Sequence, residues 1–204
     1  MITIIDYGLG NILAFANVYK RLNIPINVAK TADDLVGATK LILPGVGAFD
    51  NAMQRLDQSG MRESIDHLVL QQGVTVLGIC VGMQILAHCG EEGKLRGLGW
   101  IDGQVKKLDI KSLPHRTHLP HMGWNNVRPL TANRLFAGLD TDSRFYFLHS
   151  YYFECKNRDD VLADSDYGVR FSCAVNHKNI YGVQFHPEKS HHFGVQLLKN
   201  FAEL

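Results

Sequence analysis

The sequence predicts an α/β fold: an open, mostly parallel sheet with helices on both faces, plus a smaller mixed or antiparallel strand region in the second half. Three observations predict it. Apolar strand-like runs alternate with helix-period runs through the first half, joined by short loops, as in a parallel sheet covered on both sides. From Gly99 the texture changes to short strand candidates. The 204 residues, 46% hydrophobic and 20% charged, suit one ordinary globular domain spanning 1–204.

Each element follows from its residues. Ile2–Asp6 is an apolar strand, followed by the turn Tyr7-Gly8-Leu9-Gly10. Asn11 then opens a helix to about Leu22, with Ile12, Phe15, Ala16, Tyr19 and Leu22 at helical spacing. Ile26–Ala29 is a second strand, and Leu41–Leu43 a third that ends at Pro44. Helices are expected near Ala48–Leu56 and Met61–Gln71, a strand over Val74–Ile79 and a helix over Val81–His88. The later strand candidates are Trp100–Leu108, Gly123–Arg128, Arg144–Phe153, Val161–Tyr167, Cys173–Asn176 and Ile180–Gln184. Phe193–Ala202 reads as a closing helix, and Lys107–Pro120 as a loop.

Composition excludes several function classes. Lys and Arg number 21 against 20 Asp and Glu, so nothing points to a polyanion or a membrane surface. No stretch reaches the ~18 apolar residues of a membrane span. The start, MITIIDYG, lacks the features of a signal peptide, so a cytoplasmic protein is expected. The four cysteines form no CxxC pair, which argues against a zinc or thioredoxin-like motif. Cys89, Cys155 and Cys173 read as small buried hydrophobes.

Cys80 is different. It lies in Gly78-Ile79-Cys80-Val81-Gly82-Met83-Gln84, between a strand and a helix, flanked by glycines. That pattern is a nucleophile elbow: the glycines permit a crowded turn and lift the side chain above the sheet edge. A helix N-terminus there favours a thiolate. A thiol nucleophile wants a base and a group to orient it. His186 and Glu188 lie in Gly182-Val183-Gln184-Phe185-His186-Pro187-Glu188, just after a strand. Two residues apart in extended chain, they face one side. The bland alternative is a polar turn closing a strand. An oxyanion needs donors. Candidates are the N–H of Val81 and a peptide of Pro44-Gly45-Val46-Gly47, a segment that could equally be a plain tight turn.

Together these pieces resemble the class I (triad) glutamine amidotransferases. Cys80 matches that family's nucleophile, and His186-Pro187-Glu188 its downstream His-x-Glu. PGVGAFDNAM at 44–53, PHMGWN at 120–125, FYFLHSYY at 145–152, GVQFHPEKS at 182–190 and IDYGLGN at 5–11 resemble the branch that serves imidazole glycerol phosphate synthases. The likeness covers essentially the whole chain. It implies a glutaminase that passes ammonia to a (β/α)₈-barrel cyclase subunit in a heterodimer, with no cofactor and no metal. It implies glutamine contacts at Gly47, Gln84, Glu92, Ser150 and Tyr151, and oxyanion N–H groups at Val46 and Val81. Asn11, Pro120, Trp124, Tyr146 and Lys189 match positions near the partner or the ammonia passage. Trp124 and Tyr146 could instead be core aromatics, Lys189 a solvated charge, and Glu92 a surface charge beside Glu91. Relatives of this branch also serve barrel partners that build amidino sugars for surface polysaccharides, and the triad does not distinguish the two acceptors. A stand-alone cysteine hydrolase is a further alternative.

Overall fold

The computed structural model describes residues 1–110 and 118–204. Half of the loop expected at Lys107–Pro120, residues 111–117, therefore lies outside the described residues. The chain begins β1 (Ile2–Ile5), α1 (Ile12–Arg21), β2 (Ile26–Ala29), β3 (Lys40–Gly45), α2 (Phe49–Gln58) and α3 (Arg62–Asp66). A π-helical turn extends α3 over His67–Gln71. Then come β4 (Thr75–Cys80), α4 (Val81–Gln84), β5 (Cys89–Gly90) and β6 (Gly103–Lys107). The second half adds β7 (His121–Asn126), β8 (Arg128–Pro129), β9 (Arg144–His149), β10 (Tyr151–Cys155), β11 (Val161–Asp166), β12 (Arg170–His177), β13 (Ile180–Val183) and α5 (His191–Glu203).

The main sheet has eight strands in the order β2-β1-β3-β4-β13-β12-β11-β8. Its first five strands pair in parallel and the rest antiparallel. The step from β1 to β2 runs one way along the sheet and the step from β3 to β4 the other. Right-handed crossovers then place α1 on one face and α2–α3 on the opposite one. α5 joins α1, where the buried Tyr19 hydroxyl donates to the Leu198 carbonyl at 3.0 Å. Two smaller sheets, β10-β6-β5 and the ribbon β7-β9, stand apart from the main one.

Burial follows the sheet type. β1, β3 and β4 are apolar and buried on both faces, as parallel strands between helices must be. In β9 the pattern alternates: Phe145, Phe147 and His149 turn inward. Tyr146 and Leu148 turn outward, beside Met122 and Trp124 of β7. The ribbon thus carries an apolar outer face, with Met122 64% and Trp124 44% exposed.

Four expectations need correction. β3 does not end at Pro44 but runs through it to Gly45. The ladder to β1 stops at Ile42, so the N–H that proline lacks is not needed on that side. The Pro44 carbonyl, on the same side, is taken by the Tyr7 hydroxyl at 2.7 Å. The helix expected over Val81–His88 is only α4. After Gln84 the carbonyls of Ile85, Leu86, Ala87 and His88 accept from Leu98, Ile101, Gly99 and Gly97 instead of continuing a helix. The strand expected over Arg144–Phe153 is two, β9 and β10, broken at Ser150 and sent to different sheets. Cys89 is exposed and Cys155 half-buried; Cys173 alone of those three is a fully buried hydrophobe, and all four thiols are free. Among the described residues no helix is long and apolar enough to cross a membrane.

Candidate active site

Three adjacent strand ends build the site. In register, Gly45 of β3 sits beside Cys80 of β4, and Val183 of β13 beside Ile79. The segments leaving these strands therefore rise at one carboxyl edge, beside the point between β1 and β3 where the connections reverse direction. Open α/β sheets bind ligands at that place.

Cys80 takes φ 55° and ψ −112°, a conformation costly for a residue with a side chain. Close packing holds it there. A Cβ on Gly82 would collide with the Leu43 carbonyl oxygen, and one on Gly78 would meet the Gly82 backbone at 2.6 Å. Only glycine lets α4 press onto β3 and turn the cysteine outward. Val81 begins α4, so its N–H is among those a helix leaves without an internal partner.

On one side the His186 ring faces the Cys80 thiol and is electrostatically coupled to it. On the other, Nδ1 donates to Glu188 Oε1 at 2.9 Å. Both side chains are buried, at 5% and 2% exposure. Burial alone would push the imidazole down; the hydrogen bonds and charges of Cys80 and Glu188 outweigh it and lift His186 to about 10. The contact two residues apart is made differently from expectation. Pro187–Lys189 is a short 3₁₀ turn with proline at its start, and this turn, not extended chain, brings Glu188 beneath the ring. Backbone bonds fix the frame: His186 N–H donates to the Tyr146 carbonyl at 2.9 Å, and Ser190 Oγ links the His186 carbonyl to the Tyr146 N–H. A buried thiol, imidazole and carboxylate in this order can move a proton off sulfur and onto a leaving group.

Beside them opens a cavity of about 360 Å³. Its wall is pinned at one atom, the Tyr151 carbonyl. That oxygen accepts from Gln84 Nε2 at 3.1 Å and from His149 Nδ1 at 2.9 Å. Gln84 Nε2 gives its other proton to Gln184 Oε1 at 3.0 Å. Both N–H bonds of Gln84 are thus spent, and its carbonyl oxygen is what remains for a ligand. The acceptor also fixes a histidine chain. His149 carries its proton on Nδ1, so its Nε2 accepts from His121 Nδ1 at 2.9 Å. His121 Nε2 in turn accepts from Asn125 Nδ2 at 3.3 Å, and Asn125 also donates to the Asp166 carbonyl at 2.7 Å. Burial pushes His149 down to about 3 and His121 to about 4, so both rings are neutral.

A glutamine amidotransferase class-I family model matches residues 3–204. Over its full length the chain is 62% identical to the whole of the imidazole glycerol phosphate synthase subunit HisH of Bdellovibrio bacteriovorus. The chain belongs to the class-I glutamine amidotransferases, in their HisH branch. The Leptospira interrogans HisH subunit is 53% identical, again across both chains. A crystal structure of a glutamine amidotransferase from Thermotoga maritima shares the fold at 16% identity, with a TM-score of 0.64 over 99% of this chain and 82% of that one.

Most residues that the amidotransferase resemblance singled out meet at the cavity. Val46, Gly47, Cys80, Val81, Gln84 and Glu92 line it, together with Pro120, Ser150, Tyr151, His186 and Lys189. Glu188 stands behind His186. Glu92 is not a free surface charge: its Oε2 accepts the Phe49 N–H at 2.9 Å and caps α2. Three further residues lie outside the wall. Asn11 is an exposed N-cap of α1 whose side chain accepts from Ala14. Trp124 is not a core aromatic; it stacks on His191 at 5.0 Å and meets Tyr146 edge-on. Tyr146 lies under the Lys189 ammonium, 5.7 Å from the ring centre. Sequence reasoning missed His149 and Gln184. Gln184 was findable: it lies two residues before His186, on the same side of an extended chain. Among the described residues no cluster of His, Cys, Asp and Glu is placed to hold a metal ion.

Proposed function

We propose that this amidotransferase hydrolyses glutamine at Cys80, His186 and Glu188 and delivers the ammonia to a (β/α)₈-barrel cyclase subunit in the cytoplasm. Imidazole glycerol phosphate and an aminoimidazole carboxamide ribotide are the products of the complex. The full-length likeness to HisH subunits supports this acceptor over an amidino-sugar enzyme. The observation that carries the chemistry is the alignment of β4 with β13, which sets the cysteine against a carboxylate-held histidine.

The steps follow from the geometry. His186 takes the Cys80 proton, and the sulfur attacks the side-chain carbonyl carbon of glutamine. The oxyanion accepts from the Val81 and Val46 N–H groups. His186 returns the proton to the nitrogen as the C–N bond breaks, and ammonia leaves. Water then adds to the thioester, His186 taking its proton. Collapse frees glutamate and the thiol. Glu188 holds the imidazole throughout. Gly47, Gln84, Glu92, Ser150 and Tyr151 hold the polar end of glutamine. The outer face of the ribbon, with Met122, Trp124, Tyr146 and Leu148, meets the cyclase beside Lys189, Pro120 and Asn11. Its exposed apolar side chains fit an interface.

The test is Cys80→Ala in the assembled complex. Glutamine-dependent synthesis should vanish while synthesis from added ammonium salt persists. Loss of both with the complex intact would overturn the reading.

A further inference from the structure

Gln184 is fully buried and belongs to no step above. Its side chain spans the space between Gln84 and the reacting sulfur. Oε1 accepts from Gln84 Nε2 at 3.0 Å, and Nε2 lies 3.8 Å from Cys80 Sγ, within reach of an N–H to sulfur bond. The orientation of this amide is forced from a distance. The Tyr151 carbonyl can only accept, so the Gln84 nitrogen faces it. That nitrogen's other proton then requires an acceptor, so Gln184 presents its oxygen to Gln84. Its nitrogen is left pointing at Cys80. The Gln184 backbone is held too, its N–H donating to the Cys173 carbonyl at 2.8 Å.

We propose that Gln184 is a positioning residue for the nucleophile: its carboxamide N–H holds the Cys80 sulfur while Gln84 holds its carbonyl oxygen. A thiol accepts hydrogen bonds weakly. Once His186 has taken the proton, the sulfur is an anion and the same bond becomes charge-assisted. The donor therefore favours the state that attacks. It also ties the nucleophile to the pocket, because Gln84 lines the cavity while gripping Gln184. A ligand that pulls on Gln84 acts on the amide that aims the sulfur. The inference rests on the glutaminase reading of Cys80.

Two variants of the complex test it, with steady-state glutamine hydrolysis and alkylation of the Cys80 peptide by iodoacetamide, followed by mass spectrometry. Gln184→Glu keeps an acceptor for Gln84 but puts oxygen where the donor was. Its kcat should fall at least about tenfold, the scale of one hydrogen bond to a charged group, with KM within about twofold. Gln184→Met is uncharged and similar in length, and remains the usable variant if the buried carboxylate prevents folding. It should alkylate about tenfold more slowly at neutral pH and, lacking the acceptor for Gln84, also show a raised KM. A folded Gln184→Met with the parent's alkylation rate and kcat overturns the proposal, as does a fall in kcat that only tracks a lost folded fraction. A parent complex that releases no ammonia from glutamine sinks the glutaminase reading instead, so the two failures are distinct.

Discussion

Lowering the pH should destabilise this protein through two histidines that take no part in the proton transfers at Cys80. His121 and His149 are buried at 3% and 5% exposure, and their proton positions are dictated by the Tyr151 carbonyl at one end and the Asn125 amide at the other. A proton added to His149 Nε2 would face the Nδ1–H of His121 across 2.9 Å. His121 is also clamped between the Phe147 and Tyr167 rings, at 4.8 and 4.0 Å. Burial, the main cause, holds the pair at about 3 and 4 in the folded chain, against about 6.5 when unfolded. Depressed values mean that the unfolded state binds more protons, so stability is complete above pH ~6.5 and is lost as the pH falls toward 4. Each ring costs about 1.4 kcal/mol per pH unit in that window, or about 4 kcal/mol for both at pH 5. For a chain of this size that is on the order of 10 °C in Tm. The assay is thermal melting at pH 7.5 and pH 5 for the parent and for a double variant, His121→Asn with His149→Gln. Other groups titrate alike in both, so the parent should lose about 10 °C more than the variant. Parallel losses would refute the account of two neutral, tautomer-locked rings.

Two further outcomes concern packing. Gly82→Ala should cost about 3 kcal/mol or more, because the new methyl group meets the Leu43 carbonyl of a central strand, which cannot move aside; a Tm within about 2 °C of the parent would contradict this. Trp124→Ala should leave Tm nearly unchanged, since the ring is half-exposed on the ribbon, yet weaken cyclase binding at least about tenfold as lost interface anchors do. Calorimetric titration measures the second effect, and unchanged affinity would remove Trp124 from the interface.

The first half of the fold was legible because each parallel strand announces itself locally. The runs at Ile2–Ile5 and Ile26–Ala29 are short, apolar and bounded by turns. The Cys80 elbow was legible for a related reason: the glycines that its close packing requires lie next to the cysteine in sequence. What the sequence hid was set at long range. Nothing near Ile180–Val183 says that this strand enters beside β4 and carries β12, β11 and β8 into the main sheet. Nothing within Val81–His88 says that residues 97–101 will take its carbonyls. His149 was obscured by its own strand, where an inward slot between Phe147 and the break at Ser150 looks like any other core position. The partner of that histidine, His121, comes from a different strand of the ribbon. Such a pair has no spacing by which it can be recognised.

The placement of β13 sets when activity can begin. Cys80 and Gln184 are 104 residues apart in sequence, and His186 and Glu188 lie later still. The strand that brings them to Cys80 is made after β5 to β12, yet it occupies the middle of the sheet. Until it enters, β4 has an open edge, the sulfur has no base, and Gln84 has no amide to grip. A ribosome-bound chain that has not yet exposed β13 therefore holds a finished elbow and no glutaminase. On the proposed chemistry, strand order alone withholds ammonia production from a nascent chain, without an inhibitor, until β13 enters beside β4.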